Sequence, residues 1–233
     1  MIAGNLNRLK RLVPSGVKTA VREKIRNVAF RRTMRHLIRL PLGQAPSRDL
    51  LTDLQAGWGN ESFAARTDYL EEVANRAIVT TGAILECGSG LTTILLGWLA
   101  GRRGIETWSL EHIPEWHLLV TTTLRRYRIR KAHVCLAAIR DYGNFSWYDP
   151  PLASLPKTFH LIVCDGPPGT IPGNRYGLLP LVGERLHADC MILLDDANRP
   201  GEAEVLRRWT TEGMMTTQLR DTPTGAFALV TRN

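Results

Sequence analysis

The stretch ILECGSG at residues 84–90 decides the fold of this 233-residue chain. It begins with an apolar run typical of a strand buried on both faces, and it ends in a two-glycine bend that leads into an apolar helical segment. Downstream, short apolar runs alternate with helical segments of about ten to fifteen residues. This alternation predicts right-handed crossovers and a parallel sheet covered by helices on both faces.

The order of elements predicts an α/β fold with a Rossmann-like, seven-stranded, mostly parallel sheet. The sheet ends in an antiparallel hairpin, and a basic helical extension precedes it. Strands are predicted at 83–88, 105–110, 132–136, 159–165, 190–196, 216–220 and 226–231, helices at 62–77, 91–100, 114–127, 174–186 and 202–212, and an aromatic-rich loop at 142–157.

Positive charge is concentrated at the N-terminus. Residues 1–41 hold eleven Lys or Arg and one acid, whereas the rest of the chain holds nineteen basic and twenty-one acidic residues. Val17, Val21, Ile25 and Val28 recur at helical spacing among these cations, which predicts an amphipathic helix. A helix docked on the main domain, contact of residues 1–40 with an anionic membrane, and an organellar transit segment are the three interpretations that stay open.

Three domains follow from these patterns. A basic amphipathic helical leader is expected at 1–41, a linker and lid at 42–61, and the main domain at 62–233. The four cysteines lie in or at the end of apolar runs, as reduced core thiols of a cytoplasmic protein do. We therefore expect a cytoplasmic protein, with peripheral contact at the inner face of the membrane as the alternative.

Acidic side chains follow four of the predicted strands. Glu86, Glu111 and Asp165 close three of them, and Asp195 and Asp196 close a fourth. Ligands of open α/β sheets bind beyond the carboxyl ends of the strands, where the topology switches direction. These carboxylates are therefore the candidate site.

The two-glycine bend indicates the class of ligand. Gly88 and Gly90 allow a tight turn and a close approach of the ligand, but the third glycine of a dinucleotide fingerprint is replaced by Thr93. Because Glu86 would repel a pyrophosphate, the bend favours a nucleoside that carries positive charge. Glu111 stands twenty-one residues after Gly90, near the spacing of a carboxylate that accepts both ribose hydroxyls; the alternative is an ordinary exposed glutamate.

ILECGSG, SLEH (109–112) and IVCDGPPG (162–169) resemble the class I S-adenosylmethionine-dependent methyltransferases over roughly residues 60–231. EHIPEW, RDYGNFSWYD and LLDDANRPGE are similar to a bacterial group linked with O-methylation of sugars or small molecules. The resemblance implies methyl transfer from S-adenosylmethionine to an acceptor hydroxyl. It implies that the methionine side of the cofactor is lined by Glu86, Gly88, Ser89 and Gly90. The ribose and adenine would be held by Glu111 and His112, and the edge of the adenine would be bordered by Ala138 and Ile139.

Asp165 is the candidate on the reaction side, with a contact to the cofactor as well, and Asp196 is the second catalytic candidate. The stiff turn Gly166–Gly169 suits a carboxylate that orients or deprotonates an acceptor. Base-modifying methyltransferases have an aromatic residue where this chain has Gly169. A nucleic-acid partner is therefore disfavoured. Two alternatives remain. One is a nucleic-acid methyltransferase whose leader binds phosphate groups, and the other is a non-catalytic S-adenosylmethionine-binding protein tethered at a membrane.

The arrangement of Asp165, Asp195 and Asp196 also resembles the divalent-metal O-methyltransferases, which place an Asp-Asn pair after the fifth strand. The three aspartates offer hard oxygen ligands for an ion such as Mg²⁺. Three alternatives stay open: a metal site, metal-free base catalysis, and a structural ion pair with Arg199 or Arg175.

Overall fold

The structure is a computed structural model that describes residues 15–60 and 64–233, with only the backbone described for residues 15–20. Its centre is a seven-stranded sheet in the order β3-β2-β1-β6-β7-β9-β8, in which only the pairings of β9 are antiparallel. The predicted fold class is therefore confirmed. The strands are β1 Ile84–Cys87, β2 Thr107–Glu111, β3 Ala132–Leu136, β6 Phe159–Cys164, β7 Leu186–Leu194, β8 Met215–Thr222 and β9 Gly225–Arg232.

Helices cover both faces of this sheet. Two core clusters, one on each face, bury the apolar side chains that made the central strands recognisable in the sequence. The helices are α1 Ser15–Arg39, α2 Arg48–Trp58, α3 Thr67–Ala77, α4 Leu91–Leu99, α5 Pro114–Arg126, α6 Leu178–Val182 and α7 Pro200–Glu212. The first core cluster lies beneath α1 to α5, and the second lies beneath α6, α7 and a small hairpin.

The stretch expected to be a linker and lid instead contains helix α2. Ser47 caps it by accepting the backbone N–H of Leu50, and Leu51 and Leu54 are buried in the first core cluster. The linker is thus limited to the residues between α1 and α2. The sequence-based start of the next helix, at residue 62, falls on residues outside the description, and the described helix α3 begins at Thr67.

The C-terminal part of helix α1 packs against the main domain, whereas residues 21–29 of the same helix do not. Phe30, Met34 and Leu37 are buried against α2 and the first core cluster. Residues 21–29, by contrast, are all exposed. The docked-helix interpretation is therefore right for the second half of α1, and residues 1–14 lie outside the description.

The aromatic segment predicted as a loop contains part of a small antiparallel hairpin. Strands β4 Ile139–Asp141 and β5 Ser146–Tyr148 pair with each other and not with the main sheet. Phe145, Trp147 and Tyr148 are buried in the second core cluster. Most of this aromatic cluster therefore packs as core.

Within the described residues, no helix is long and apolar enough to cross a membrane.

Candidate active site

The carboxyl ends of β1 and β6 meet at two glycines. Gly88 has a φ of +88°, which only glycine adopts without strain, and a Cβ at this position would lie 3.3 Å from the backbone nitrogen of Gly166. A Cβ at Gly166 would collide with the hydroxyl of Tyr148. The loops after two neighbouring parallel strands are therefore pressed together at the switch point, where β2 leaves on one side of β1 and β6 on the other.

Glu111 is bound to the loop that follows β1. One carboxylate oxygen accepts the backbone N–H of Ser89 at 3.2 Å and its hydroxyl at 2.8 Å, and the other accepts the backbone N–H groups of His112 and Ile113 at 2.8 and 2.9 Å. The side chain is buried. The interpretation as an ordinary exposed glutamate is therefore wrong. Its role toward ribose stays a prediction.

Trp116 lies beside the bend. Gly90 is buried and has an extended backbone, and the nearest atom to a Cβ placed there is Nε1 of Trp116 at 4.0 Å. The same Trp116 nitrogen donates to the carbonyl oxygen of Ser89 at 2.5 Å, and the Trp116 ring packs edge-on against Trp58. Trp116 thus holds the bend in place beside Gly90.

Glu86 lies beneath the bend. Its side chain is fully buried, and one oxygen accepts hydrogen bonds from Thr93 at 2.6 Å and from Ser109. Burial raises the pKa of Glu86 to about 7, and the hydroxyl hydrogen bonds oppose this change. A carboxyl group that is only partly ionised at neutral pH does not present a full charge to a ligand. The hydroxyl of Thr93 also accepts the N–H of Gly90 at 2.9 Å, so Glu86 supports the loop through Thr93, and its contact with the cofactor stays a prediction.

The predicted adenine contacts lie at the ends of β2 and β3. His112 is half-buried and its ring packs edge-on against Tyr148, with centroids 5.9 Å apart. Ala138 is exposed and Ile139 is half-buried at the start of β4. The three residues border the same end of the sheet as Glu111, and their contact with adenine stays a prediction.

Asp165 follows β6 on the other side of the two-glycine contact. Its backbone N–H donates to the carbonyl of Cys87 at 3.0 Å, which fixes the residue beside the end of β1. Oδ1 accepts from Arg175 Nη2 at 3.1 Å, whereas Oδ2 has no hydrogen-bond partner within the described chain. One fifth of the side chain is exposed. Asp165 therefore has one oxygen that is held and one that is free to meet an acceptor.

Arg175 gathers the carboxylates at this end of the sheet. Nη2 also lies 3.1 Å from Oδ2 of Asp196, and Nε lies 3.8 Å from Glu202 Oε1. Asp196 pairs in addition with Arg199 at 2.7 Å, and its backbone N–H donates to Asp195 Oδ1 at 2.8 Å. The ion pair that the sequence left as an alternative is thus formed by both arginines.

Two aspartates of this group hold their protons more strongly than usual. Burial, followed by the charge of Asp195, raises the pKa of Asp165 well above its usual range, although Arg175 acts in the opposite direction. Burial, followed by the charge of Asp196, raises the pKa of Asp195 to about 6. A carboxylate with a raised pKa accepts the proton of an acceptor hydroxyl more readily than an ordinary aspartate does.

A divalent ion does not fit this cluster as it stands. One oxygen each of Asp165, Asp195 and Asp196 lies within 4.8 Å of the others, a spacing that a metal ion could bridge. However, Nη2 of Arg175 already contacts Oδ1 of Asp165 and Oδ2 of Asp196 at 3.1 Å each. An ion at the usual 2.0–2.6 Å from these oxygens would meet the guanidinium group. No reaction step is therefore assigned to a metal.

Comparison with solved structures agrees with the topology. The fold is that of the class I S-adenosylmethionine-dependent methyltransferases. The SAH-bound methyltransferase PaMTH1 of Podospora anserina is similar, with a TM-score of 0.58 and 12% identity over 100% of this chain and 97% of that one. A methyltransferase of Geobacter sulfurreducens gives 0.56 and 11% over 82% and 93%. An O-methyltransferase of Bacillus cereus in complex with SAH gives 0.55 and 14% over 81% and 92%.

Comparison of the sequence with known families and proteins finds no match. No protein-family model matches the chain, and no curated protein matches it in sequence. With identities this low, the structural likeness establishes the fold, and the activity rests on the geometry of the site.

Three side chains join the site without having been singled out for it. Trp116 holds the carbonyl of Ser89, Ser109 holds Glu86, and Tyr148 lies against Gly166. Tyr148 lies in the aromatic-rich stretch predicted as a loop at 142–157. Ser109 and Trp116 lie within the motifs SLEH and EHIPEW, but no sequence pattern assigned either side chain a contact of its own.

Proposed function

We propose that this chain is an S-adenosylmethionine-dependent methyltransferase that methylates a hydroxyl group of a small molecule or sugar. One observation carries the proposal: Glu111, bound to the loop after β1, and Asp165, held after β6, flank the same contact between Gly88 and Gly166. A residue suited to hold a nucleoside and a residue suited to act on an acceptor therefore border one crevice.

Glu111 and the Ser89–Gly90 bend are the groups proposed to hold the adenosyl part of the cofactor. Of the four donors to Glu111, only the Ser89 hydroxyl belongs to a rotatable side chain. A ribose hydroxyl can replace it without any movement of the backbone. The methionine part is proposed to lie against Gly88 and Gly90, where no side chain intervenes, and His112, Ala138 and Ile139 are proposed to border the adenine.

The proposed reaction is an in-line displacement at the methyl group. The acceptor oxygen forms a bond to the methyl carbon while the carbon–sulfur bond breaks, and S-adenosylhomocysteine leaves as a neutral thioether. The acceptor proton goes to Oδ2 of Asp165, whose other oxygen is held by Arg175. Alignment of two bound reactants is worth up to about 7–11 kcal/mol, and general-base catalysis adds about 10²–10⁴ in rate.

The cofactor class is tested by isothermal titration calorimetry. We expect S-adenosylmethionine and S-adenosylhomocysteine to bind and NAD not to bind. Binding of NAD alone would overturn the proposal. Titrations with and without Mg²⁺ show whether the ion affects binding.

The reaction is tested with S-adenosylmethionine that carries a labelled methyl group, supplied with pools of sugars and small hydroxyl compounds. We expect label to appear in an acceptor, and Asp165→Asn to retain cofactor affinity while losing most of the turnover. Exposed Asp189→Asn is the matched control. Unchanged turnover in Asp165→Asn would remove Asp165 from the mechanism.

Two other functions are separated by the same experiments. A non-catalytic S-adenosylmethionine-binding protein would bind the cofactor and label no acceptor. A nucleic-acid methyltransferase would bind nucleic acid with a steep dependence on salt. Deletion of residues 1–40 cannot test the latter, because it removes the buried Phe30, Met34 and Leu37; neutralising substitutions of exposed arginines in α1 replace it.

We also propose a cytoplasmic protein that contacts an anionic membrane through the outer face of α1. Val21, Ile25 and Val28 are 50%, 65% and 61% exposed. With about 3.6 residues per turn, they lie opposite the buried Phe30 and Leu37. An apolar strip flanked by cations is the pattern of a helix that lies in a membrane interface.

Vesicle flotation tests this contact. We expect binding to vesicles that contain phosphatidylserine and little binding to pure phosphatidylcholine, with a loss of about fivefold for each cation removed. Ile25→Glu is expected to abolish binding, whereas Val79→Glu, a change at an equally exposed valine of the main domain, serves as the control. Equal binding by Ile25→Glu and the native chain would refute the proposal.

A further inference from the structure

Arg175 is a deeply buried cation at the centre of the reaction-side cluster. Only 2% of it is exposed, and it lies among four carboxyl groups that follow or flank the ends of β6 and β7. Those groups are Asp165, Asp195, Asp196 and Glu202. Burial disfavours its charged form, but the negative charge of its neighbours, with Asp165 contributing most, raises the pKa of Arg175 above its usual value.

The guanidinium group is fixed by the backbone as well as by side chains. Nη1 donates to the carbonyl oxygen of Asp195 and, at 3.5 Å, to that of Cys164. Nη2 donates to the carbonyl oxygen of Asp165 at 3.2 Å. Arg175 thus joins the carboxyl ends of two neighbouring strands, and the planar, forked shape of the group determines which way its nitrogens face.

We propose that Arg175 is the resident cation of the reaction site, in the place that a divalent ion takes in metal-dependent O-methyltransferases. Two of the aspartates that the sequence offered as metal ligands, Asp165 and Asp196, are held by a side chain of the same protein through their carboxylates, and Asp195 is held through its backbone carbonyl oxygen. Because the same Nη2 contacts Asp165 Oδ1 and Asp196 Oδ2 at 3.1 Å each, one group orients both predicted catalytic carboxylates.

The same geometry excludes a second cation. An ion bound to the oxygens of Asp165 and Asp196 would lie within a few ångströms of Nη2, and like charges so close repel strongly in a buried setting. The guanidinium group cannot move aside easily, since three backbone carbonyl groups hold it. Arg175 therefore disfavours a divalent ion at these two oxygens as long as it is present.

Asp196 shows that the cluster imposes a conformation. Its φ is +54°, a left-handed value that few residues other than glycine adopt. Arg175 and Arg199 both contact its Oδ2, and Asp195 accepts its backbone N–H. These contacts hold the Asp196 carboxylate toward Arg175. Arg175 is accordingly a positioning residue, and its effect on methyl transfer through Asp165 rests on the proposed function.

Mn²⁺ binding tests the assignment without any need for cofactor or acceptor. Electron paramagnetic resonance measures free Mn²⁺ against the full-length protein, with Arg175→Ala, Arg175→Gln and the exposed Arg140→Ala compared. We expect no stoichiometric binding by the native chain or by Arg140→Ala. Both substitutions of Arg175 remove the cation that Asp165 and Asp196 share, and we expect them to bind Mn²⁺ on the order of a hundredfold more tightly than the native chain.

Arg175→Gln is included because its amide group still donates to a backbone carbonyl if Arg175→Ala does not fold. Stoichiometric binding by the native chain that Asp196→Asn abolishes would overturn the proposal. Folded Arg175 variants that gain no Mn²⁺ affinity would overturn it as well, because the exclusion would then not come from Arg175. Failure of S-adenosylmethionine to bind would refute the proposed function and leave the Mn²⁺ result unaffected.

Discussion

Replacement of Glu86 by Gln is expected to change how the stability of the protein depends on pH. The folded chain raises the pKa of this buried group from its ordinary value of 4.5 to about 7. The folded state therefore binds the proton more tightly than the unfolded state. Between these two values it carries more protons, so the free energy of unfolding falls as the pH rises.

The magnitude follows from the two pKa values. Each tenfold difference in proton affinity corresponds to about 1.4 kcal/mol, which gives about 3 kcal/mol for the whole change. Most of it, about 2–3 kcal/mol, is lost between pH 5 and pH 8. Asp195, whose pKa is raised from 3.8 to about 6, acts in the same direction over the lower part of this range.

Urea unfolding at several pH values measures the effect. The native chain should lose stability from pH 5 to pH 8, and Glu86→Gln should lose less by about 2–3 kcal/mol. The decisive quantity is the difference between the free energies of unfolding at pH 5 and pH 8. A hydrogen bond altered by the amide changes the free energy equally at both pH values, so it does not affect this difference. Glu184→Gln, at an exposed glutamate, is the control. An identical pH dependence in the native chain and Glu86→Gln would show that Glu86 is ionised in the fold.

Three further outcomes are expected. Glu111→Gln should weaken S-adenosylhomocysteine binding by about 10- to 100-fold in calorimetry, because bonds to a charged acceptor are worth about 1.5–3 kcal/mol; an unchanged Kd would argue against the ribose contact. Met34→Ala should cost about 2–5 kcal/mol in urea unfolding, whereas Ile25→Ala should change stability by about 0.5 kcal/mol or less; equal effects would mean that α1 is not docked. Gly57→Ala should displace α1, since its Cβ would lie 2.8 Å from the Cα of Phe30, and a stability equal to the native value would contradict this packing.

The sheet and its functional edge could be predicted because central parallel strands carry an unmistakable signal. Ile84–Cys87 and Phe159–Cys164 are almost entirely buried, so each is a nearly continuous apolar run followed directly by a polar end. The position of the candidate site follows from those ends alone. This is why Glu111 and Asp165 could be chosen without a structure.

Helix α2 was missed for a local reason. Its turn-rich preceding segment, PLGQAPS at 41–47, suggested a linker, and only Leu51 and Leu54 mark its buried side. The signal that was available is Ser47, a preferred N-cap residue directly before the helix. Short helices with few apolar residues depend on tertiary packing more than on their own sequence.

The burial of Glu86 could not be predicted because sequence position does not give the direction of a side chain. All four residues of β1 are buried, so the alternation of faces that distinguishes core from surface is absent. Arg175 lies in a stretch predicted as helix at 174–186, whereas the described helix covers only Leu178–Val182, and its contacts join residues ten to twenty-one positions away. Such a cluster appears only when the ends of β6 and β7 are brought side by side.

Helix α1 is one continuous helix over Ser15–Arg39, with Phe30, Met34 and Leu37 packed in the core and residues 21–29 exposed. A flexible connection would let the main domain rotate independently of any surface that residues 21–29 contact. Because the helix is continuous, a surface that binds these residues also fixes the orientation of the sheet edge where β1 and β6 end. Attachment through α1 would therefore determine which direction Glu111 and Asp165 face.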